Sequence, residues 1–338
     1  MRSKLRNMKP RMNTDEHRSE FICVHLWFRP YFWLWLGTPA LVTALLTSAV
    51  IAYAQASTAA ALYQDALAKY RAKEYPSALA AAAGAVEQEP GQAAYRHIYG
   101  LCLAAVERFR EAEEHLNKAV ALKPDQASYR YDLGFVLYQQ KKYDQCVPVL
   151  KRAVELDGEN LMARFLLGRT YVSSHRTLMI GNFSELALEQ FGYVARKDPR
   201  FPTVHFHIAQ IHSNNGFVEK AVQELKTELE YHPSNAQARV TLAELLLKSG
   251  QVQEALEQLQ TAEKSASKIG LVHYALAKAY RENKQMDKAI EAARKSVELD
   301  PASSDAHYLL GQLYQEAGQA DLARQELELF QKQKNAAP

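Results

Sequence analysis

The chain has 338 residues, 48% of them hydrophobic and 23% charged, with only 14 glycines and 12 prolines, a composition suited to a helical protein with a continuous apolar seam. Its formal net charge of +3 is uneven: residues 1–54 carry Arg2, Lys4, Arg6, Lys9, Arg11, Arg18 and Arg29 against Asp15, Glu16 and Glu20, so the remainder is almost neutral. A near-neutral body without a basic stripe argues against nucleic acid as a partner, and three cysteines make no disulfide framework.

The first element in the chain is hydrophobic. No charged residue stands between Pro30 and Gln64, and the apolar run from Phe32 to Ala52 is about 20 residues long, with the basic cluster ahead of it. By the positive-inside rule the N-terminus stays in the cytoplasm and the rest of the chain crosses the membrane. Two readings stay open. Ala52-Tyr53-Ala54 before Gln55 is a small-x-small cleavage site directly after a signal-like core, Leu41 to Ala52. The full run is also long enough to remain as a single transmembrane anchor, with Trp33 and Trp35 in an interfacial belt. Both predict a location outside the cytoplasm, either periplasmic or secreted, or tethered at the membrane. Membrane contact is then expected only through this segment, if it is uncleaved. Met8 and Met12 are alternative starts, and no cysteine follows the apolar core as a bacterial lipoprotein signal requires.

From Ala59 onward a 34-residue pattern recurs. Tyr99-Gly100, Leu103, Phe109, Ala112, Leu116, Ala119, Leu122 and Pro124 are followed at the same offsets by Leu133-Gly134, Leu137, Tyr143, Cys146, Leu150, Ala153, Leu156 and Gly158. Small residues at Ala66, Gly100, Gly134, Gly168, Ala209, Ala243, Ala277 and Gly311 are answered twelve residues later by Ala78, Ala112, Cys146, Ala221, Ala255, Ala289 and Ala323. The fourth unit departs, reaching Ala187 after a longer connection. Apolar residues at helical spacing within each half-unit predict two amphipathic helices per unit. Gly216, Gly250 and Gly318 are placed to end first helices in a left-handed conformation, and Pro90, Pro124, Pro199, Pro233 and Pro301 to close second helices. Paired small residues let two helix backbones approach, while Leu116, Leu150, Phe191, Leu225, Leu259 and Leu327 fill the space between hairpins.

These residues resemble the tetratricopeptide repeat (TPR) pattern of Leu-Gly, Tyr, Ala, Phe/Leu and a terminal Pro. The resemblance implies an all-α protein, a right-handed α-solenoid of about eight helix hairpins preceded by a hydrophobic N-terminal helix. The units fall near 59–92, 93–126, 127–160, 161–201 with an insertion at about 173–184, 202–235, 236–269, 270–303 and 304–334, leaving 1–54 as the basic N-terminal region with the signal or anchor. The chain departs from the pattern where an aromatic often opens the unit: Arg96, Arg130, Arg164, Arg239, His205, His273 and His307 stand there, and Ser267 replaces a closing proline. The insertion, with Leu178-Met179-Ile180 and Gly181-Asn182, either carries binding function at one edge or simply extends a helix. The last helix, around Leu327, Leu329 and Phe330, is expected to act as a solvent-facing cap.

Nothing along the chain reads as a catalytic motif. His205, His207 and His212 are the most tempting group, but His205 and His212 lie seven apart and His207 points elsewhere, whereas zinc ligands on one helix favour spacings of three or four. They read as seam histidines. Cys102 and Cys146 take small-residue places and read as buried side chains, although their pairing is open in an oxidising compartment. No phosphate loop, nucleophile elbow or Cys-x-x-Cys occurs, so no enzyme, cofactor or metal site is expected.

The resemblance also implies that first helices line a concave face, with Tyr63, Tyr70, His97, Tyr131, Phe135, Tyr138, Phe165, Arg169, Phe206, Gln210, Tyr274, Lys278, Arg281 and Tyr308 as candidate contacts. An aromatic-rich groove suits an extended peptide or helix, and Arg169, Lys278 and Arg281 suit an acidic group on it. The alternative is that these aromatics pack on one another. Chaperone-binding members that clamp a terminal carboxylate carry Lys and Asn where this chain has Tyr63, Leu67, His97, Tyr131 and Phe135. The asparagine ladder of members joined to sugar-transferring enzymes is replaced by Gln64, Ile98, Asp132, Leu166, His207, Thr241, Ala275 and Leu309. The expected function is a non-catalytic protein-binding scaffold or adaptor with a protein or peptide partner. The alternative is a structural assembly subunit of an envelope machine for pili, secretion or polysaccharide export.

Overall fold

The structure, a computed structural model, describes residues 58–178 and 182–336. The expected signal or anchor, the site after Ala54, Cys23 and the Met179 to Gly181 part of the insertion lie outside those residues. Among the described residues there are sixteen helices and no strand. The chain divides into two compact units, one up to Phe183 and one from Ser184.

The first unit holds α1 (58–71), α2 (Tyr75–Gln88), α3 (Ala93–Ala105), α4 (Phe109–Leu122), α5 (Ala127–Gln139), α6 (Tyr143–Leu156) and α7 (Leu161–Leu178). Each helix from α2 to α6 packs on the next, and the first helices of successive hairpins also touch, α3 on α5 and α5 on α7. Gly100 and Gly134 show why small residues are needed. A Cβ added at Gly100 would meet Leu116 Cγ at 2.7 Å, and one at Gly134 would meet Leu150 more closely still. Leu116 and Leu150 are fully buried against these glycines, so the first and second helices of a hairpin come as close as a missing methyl permits. Cys102 and Cys146 are buried and free. Burial pushes their thiols up, to about 12 and about 11, so both are neutral packing groups, as the small-residue reading expects.

The second unit begins with most of α8 (Phe183–Lys197). It continues as α9 (Val204–Asn214), α10 (Val218–Tyr231), α11 (Ala236–Lys248), α12 (Val252–Ala266), α13 (Gly270–Glu282), α14 (Met286–Leu299), α15 (Ser304–Glu316) and α16 (Ala320–Ala336). Phe191, Leu225 and Leu259 are fully buried, and one apolar cluster runs from Phe206 to Ala323, the shared core that single hairpins cannot build alone. On α16, Arg324 and Gln331 replace the Ile290 and Val297 that pack at the same places of α14, so polar residues stand where α14 is apolar.

Among the described residues, the turn between first and second helix has the same conformation in seven hairpins. Gly216, Gly250 and Gly318 have φ of 80°, 75° and 75°, and Lys73, Glu107, Lys141 and Lys284 occupy the same place in other hairpins with φ between 58° and 64°. Four hairpins thus hold a side chain where the left-handed backbone favours glycine.

The opening Arg and His residues have a structural role that the pattern alone did not explain. Arg96, Arg130, Arg164 and Arg239 each reach back six residues to a carbonyl, those of Pro90, Pro124, Gly158 and Pro233, at 2.5 to 3.2 Å. His273 does the same to Ser267 at 2.8 Å and His307 to Pro301 at 3.1 Å. Five of these six carbonyls lie one residue past the helix C-cap, in the connecting turn, and a cationic or imidazole donor at the start of the next helix meets each of them. α7 is 18 residues long where most first helices have 13, so the described part of the insertion, through Leu178, continues that helix.

Candidate interaction surface

In the first unit the row of first helices carries Tyr63, Tyr70, His97, Tyr131, Phe135, Tyr138 and Arg169 as half-buried side chains. Helical spacing puts these residues beside, rather than on, the stripe that packs into the hairpin. Neighbouring aromatics brace several of them: Tyr63 packs on Tyr95 with ring centroids 5.0 Å apart, Tyr70 on Tyr75 at 5.6 Å, and Tyr138 edge-on to Tyr143 at 5.7 Å. Between α5 and α7 lies a narrow cleft walled by Tyr131, Phe135, Tyr138, Met162, Leu166 and Arg169. Its free volume is about 10 Å³, room for about one water. Phe165 is 2% exposed and forms the floor, so it supports the surface instead of offering a free contact.

A buried histidine–carboxylate contact lies beside this cleft. His97 Nε2 on α3 is 2.7 Å from Asp132 Oδ2 on α5, and the His97 ring stacks on Tyr129 at 4.2 Å. Asp132 is 4% exposed. Burial first, and the Asp132 charge second, push the Tyr70 and Tyr131 hydroxyls well above the usual tyrosine range, so both stay neutral hydrogen-bonding tips. Asp132 entered the sequence argument only as a missing asparagine. A visible signal for its pairing was the spacing: His97 and Asp132 are 35 residues apart, one repeat plus one, and so are Arg281 and Glu316.

The second unit places its candidates differently. Phe206 is 3% exposed and belongs to the core, which corrects its expected role as a contact. Gln210 Oε1 lies 3.2 Å from His207 Nδ1. Lys278 stands over the Tyr274 ring at 5.5 Å and 4.0 Å from Glu244. Arg281 is ion-paired with Glu316 and reaches Gln312 at 3.5 Å. Tyr308 is exposed and packs on Phe330 at 4.9 Å. Lys278 and Arg281 therefore face carboxylates of the chain itself. Arg169 does not: its guanidinium lies over the Tyr138 ring at 4.9 Å and its Nη2 donates to the Tyr138 hydroxyl at 3.0 Å, with no carboxylate partner among the described residues.

The tested histidines are structural where the structure shows their partners. His205 and His307 each meet a glutamate of their own hairpin, Glu224 and Glu326, at 2.6 Å. Among the described residues no group of three His, Cys, Asp or Glu side chains converges as a metal site, and no helix is long and apolar enough to cross a membrane.

Profiles of the tetratricopeptide repeat match residues 63–127, 100–158 and 218–279, and a TPR repeat profile matches 277–318. The chain belongs to the tetratricopeptide repeat family. No curated protein shows significant sequence similarity to it. Among solved structures, this tetratricopeptide repeat protein is similar to one from Parabacteroides merdae, with a TM-score of 0.58 at 12% identity, over 76% of this chain and 98% of that one. It is also similar to a chain of the APC/C hetero-tetramer Cut9-Hcn1, with a TM-score of 0.55 at 18% identity, over 71% of this chain and 48% of that one. It thus spans about half that relative's length. At these identities the likeness shows the fold, an all-α solenoid of helix hairpins, a class that serves in general as a protein-interaction scaffold.

Proposed function

We propose that this tetratricopeptide repeat protein is a non-catalytic scaffold outside the cytoplasm that holds a segment of a partner protein along the first helices of its first unit. The observation that carries the reading is the row of half-buried aromatics on the first helices, Tyr63, Tyr70, Tyr131, Phe135 and Tyr138, of which Tyr63, Tyr70 and Tyr138 are braced by further rings. Aromatic side chains give large contact area at low entropic cost, and a pre-folded face binds without ordering itself first. Location outside the cytoplasm rests on the basic cluster and apolar run of residues 1–54.

Co-purification from the native envelope tests the surface. A partner held by the wild-type chain should be retained about tenfold less by Tyr131→Ala combined with Phe135→Ala, the scale of a lost aromatic anchor. Unchanged retention would overturn the groove and favour an assembly role through other faces. Fractionation with peptide-level identification of the N-terminus tests the location. A start at Gln55, or a membrane-bound chain retaining Trp33 to Ala54, supports it, and recovery of the intact chain from the cytosol overturns it.

A further inference from the structure

Arg169 has an environment unlike that of the other two cations expected on the first helices. It sits half-buried on an aromatic wall, and only one of its five N–H donors is used by Tyr138 in the contacts the structure shows. The nearest buried carboxylate on α5, Asp132, is engaged by His97 at 2.7 Å. The Tyr138 ring and hydroxyl together hold the guanidinium, and its remaining donors keep the planar fork that matches the two oxygens of a carboxylate. Partial burial among aromatic rings lowers the local dielectric and strengthens such a contact.

We propose that the cleft between α5 and α7 recognises an acidic peptide segment of a partner protein, with a Glu or Asp side-chain carboxylate taken bidentately by Arg169 and an adjoining apolar residue lying on Tyr131 and Phe135. This rests on the reading that the first-helix face is the binding surface, and adds the chemistry of the segment. The cleft has room for about one water, so the peptide lies across its mouth. A side chain reaching down from a continuous strand fits that geometry, and a chain end inserted into the cleft does not.

The test uses the full chain and two fluorescein-labelled pools of nonapeptides, acetylated and amidated at their ends. One pool has Glu at the centre followed by Phe or Leu, the other Gln at the same place, and binding is read by fluorescence anisotropy. The Glu pool should bind about tenfold more tightly than the Gln pool, the scale of one charge-assisted pair. Arg169→Gln should abolish that preference and Arg169→Lys, which keeps the charge but not the fork, should keep only part of it. Arg281→Gln should leave it intact, and circular dichroism establishes that each variant is folded. Equal binding of the two pools, or a Glu preference that survives Arg169→Gln, overturns the proposal. So does tighter binding by the Gln pool left with a free C-terminal carboxylate than by the amidated Glu pool. If both pools bind equally and both weaken with Tyr131→Ala and Phe135→Ala, the groove stands and the acidic specificity falls; if neither pool binds, both fall.

Discussion

His205 Nδ1 on α9 lies 2.6 Å from Glu224 Oε2 on α10, tying the two helices of one hairpin at the place where the repeat pattern often has an aromatic. The glutamate hydrogen bond holds the imidazole proton, so the His205 pKa is raised above its ordinary value despite partial burial. The folded state then binds that proton more tightly than the unfolded chain. The pair's contribution to stability is fully present below about pH 6.5, the ordinary histidine value, and is lost as pH rises through the raised one. His212, on the same helix, is lowered by burial against the opposing pull of the same Glu224 charge, so Glu224→Gln removes the carboxylate's influence from both histidines, and its direct hydrogen bond from His205. Urea unfolding followed between pH 5.5 and 8.5 should show wild type losing more stability than Glu224→Gln as pH rises; parallel curves would rule the pair out as a contributor.

The left-handed turns predict a gain. Lys141 and Lys284 have φ of 60° and 58° where other hairpins use glycine, and a side chain there costs on the order of 1 kcal/mol. Lys141→Gly and Lys284→Gly should each stabilise by about 0.5 to 1 kcal/mol, less than the full relief because glycine adds disorder to the unfolded chain. Gly250→Ala should cost about 1 kcal/mol. The unfolding midpoint in urea gives the sign directly.

Close packing of hairpin helices makes Gly134 intolerant of even a methyl group, because the new Cβ would collide with Leu150. Gly134→Ala should destabilise by about 1 to 3 kcal/mol, and shortening the facing residue with Leu150→Ala should recover part of that loss in the double variant while costing about 2 to 5 kcal/mol alone. A double-mutant cycle measures the coupling; additive effects would mean that the backbone simply moves apart.

Glu228 is completely buried at the place where other hairpins carry Ala119, Ala153 and Ala262. Its Oε1 accepts from Asn235 Nδ2 at 2.8 Å, its Oε2 has no hydrogen-bond partner, and Asn235 caps α11 by accepting from the Ala238 amide at 3.2 Å. Removing the glutamate and removing its partner should therefore differ in size. Glu228→Ala should cost less than about 1 kcal/mol, since it abolishes an under-satisfied buried group and installs the alanine of several other hairpins, against the one Asn235 amide donor it leaves unpaired. Asn235→Ala strands the glutamate and loses the cap, and should cost about 2 to 4 kcal/mol. Thermal unfolding of the two variants in parallel decides the matter.

The amino-acid sequence by itself determined the hairpins. The 34-residue period, the Gly and Ala pairs such as Gly100 with Ala112, the prolines after second helices and the turn glycines at Gly216, Gly250 and Gly318 act through local backbone geometry, which a single chain displays directly. Contacts between hairpins depend on helix crossing and on which side of each helix turns to its neighbour, and no local period records that. Tertiary structure alone decided that Arg130 and His307 hold carbonyls just past the preceding helix, and that Phe206 enters the core and Phe165 the cleft floor. Of three similar cations, Arg281 and Lys278 met carboxylates from neighbouring first helices, and Arg169 met an aromatic ring. Only packing distinguishes them, because a side chain's free donors depend on what the next repeat places beside it.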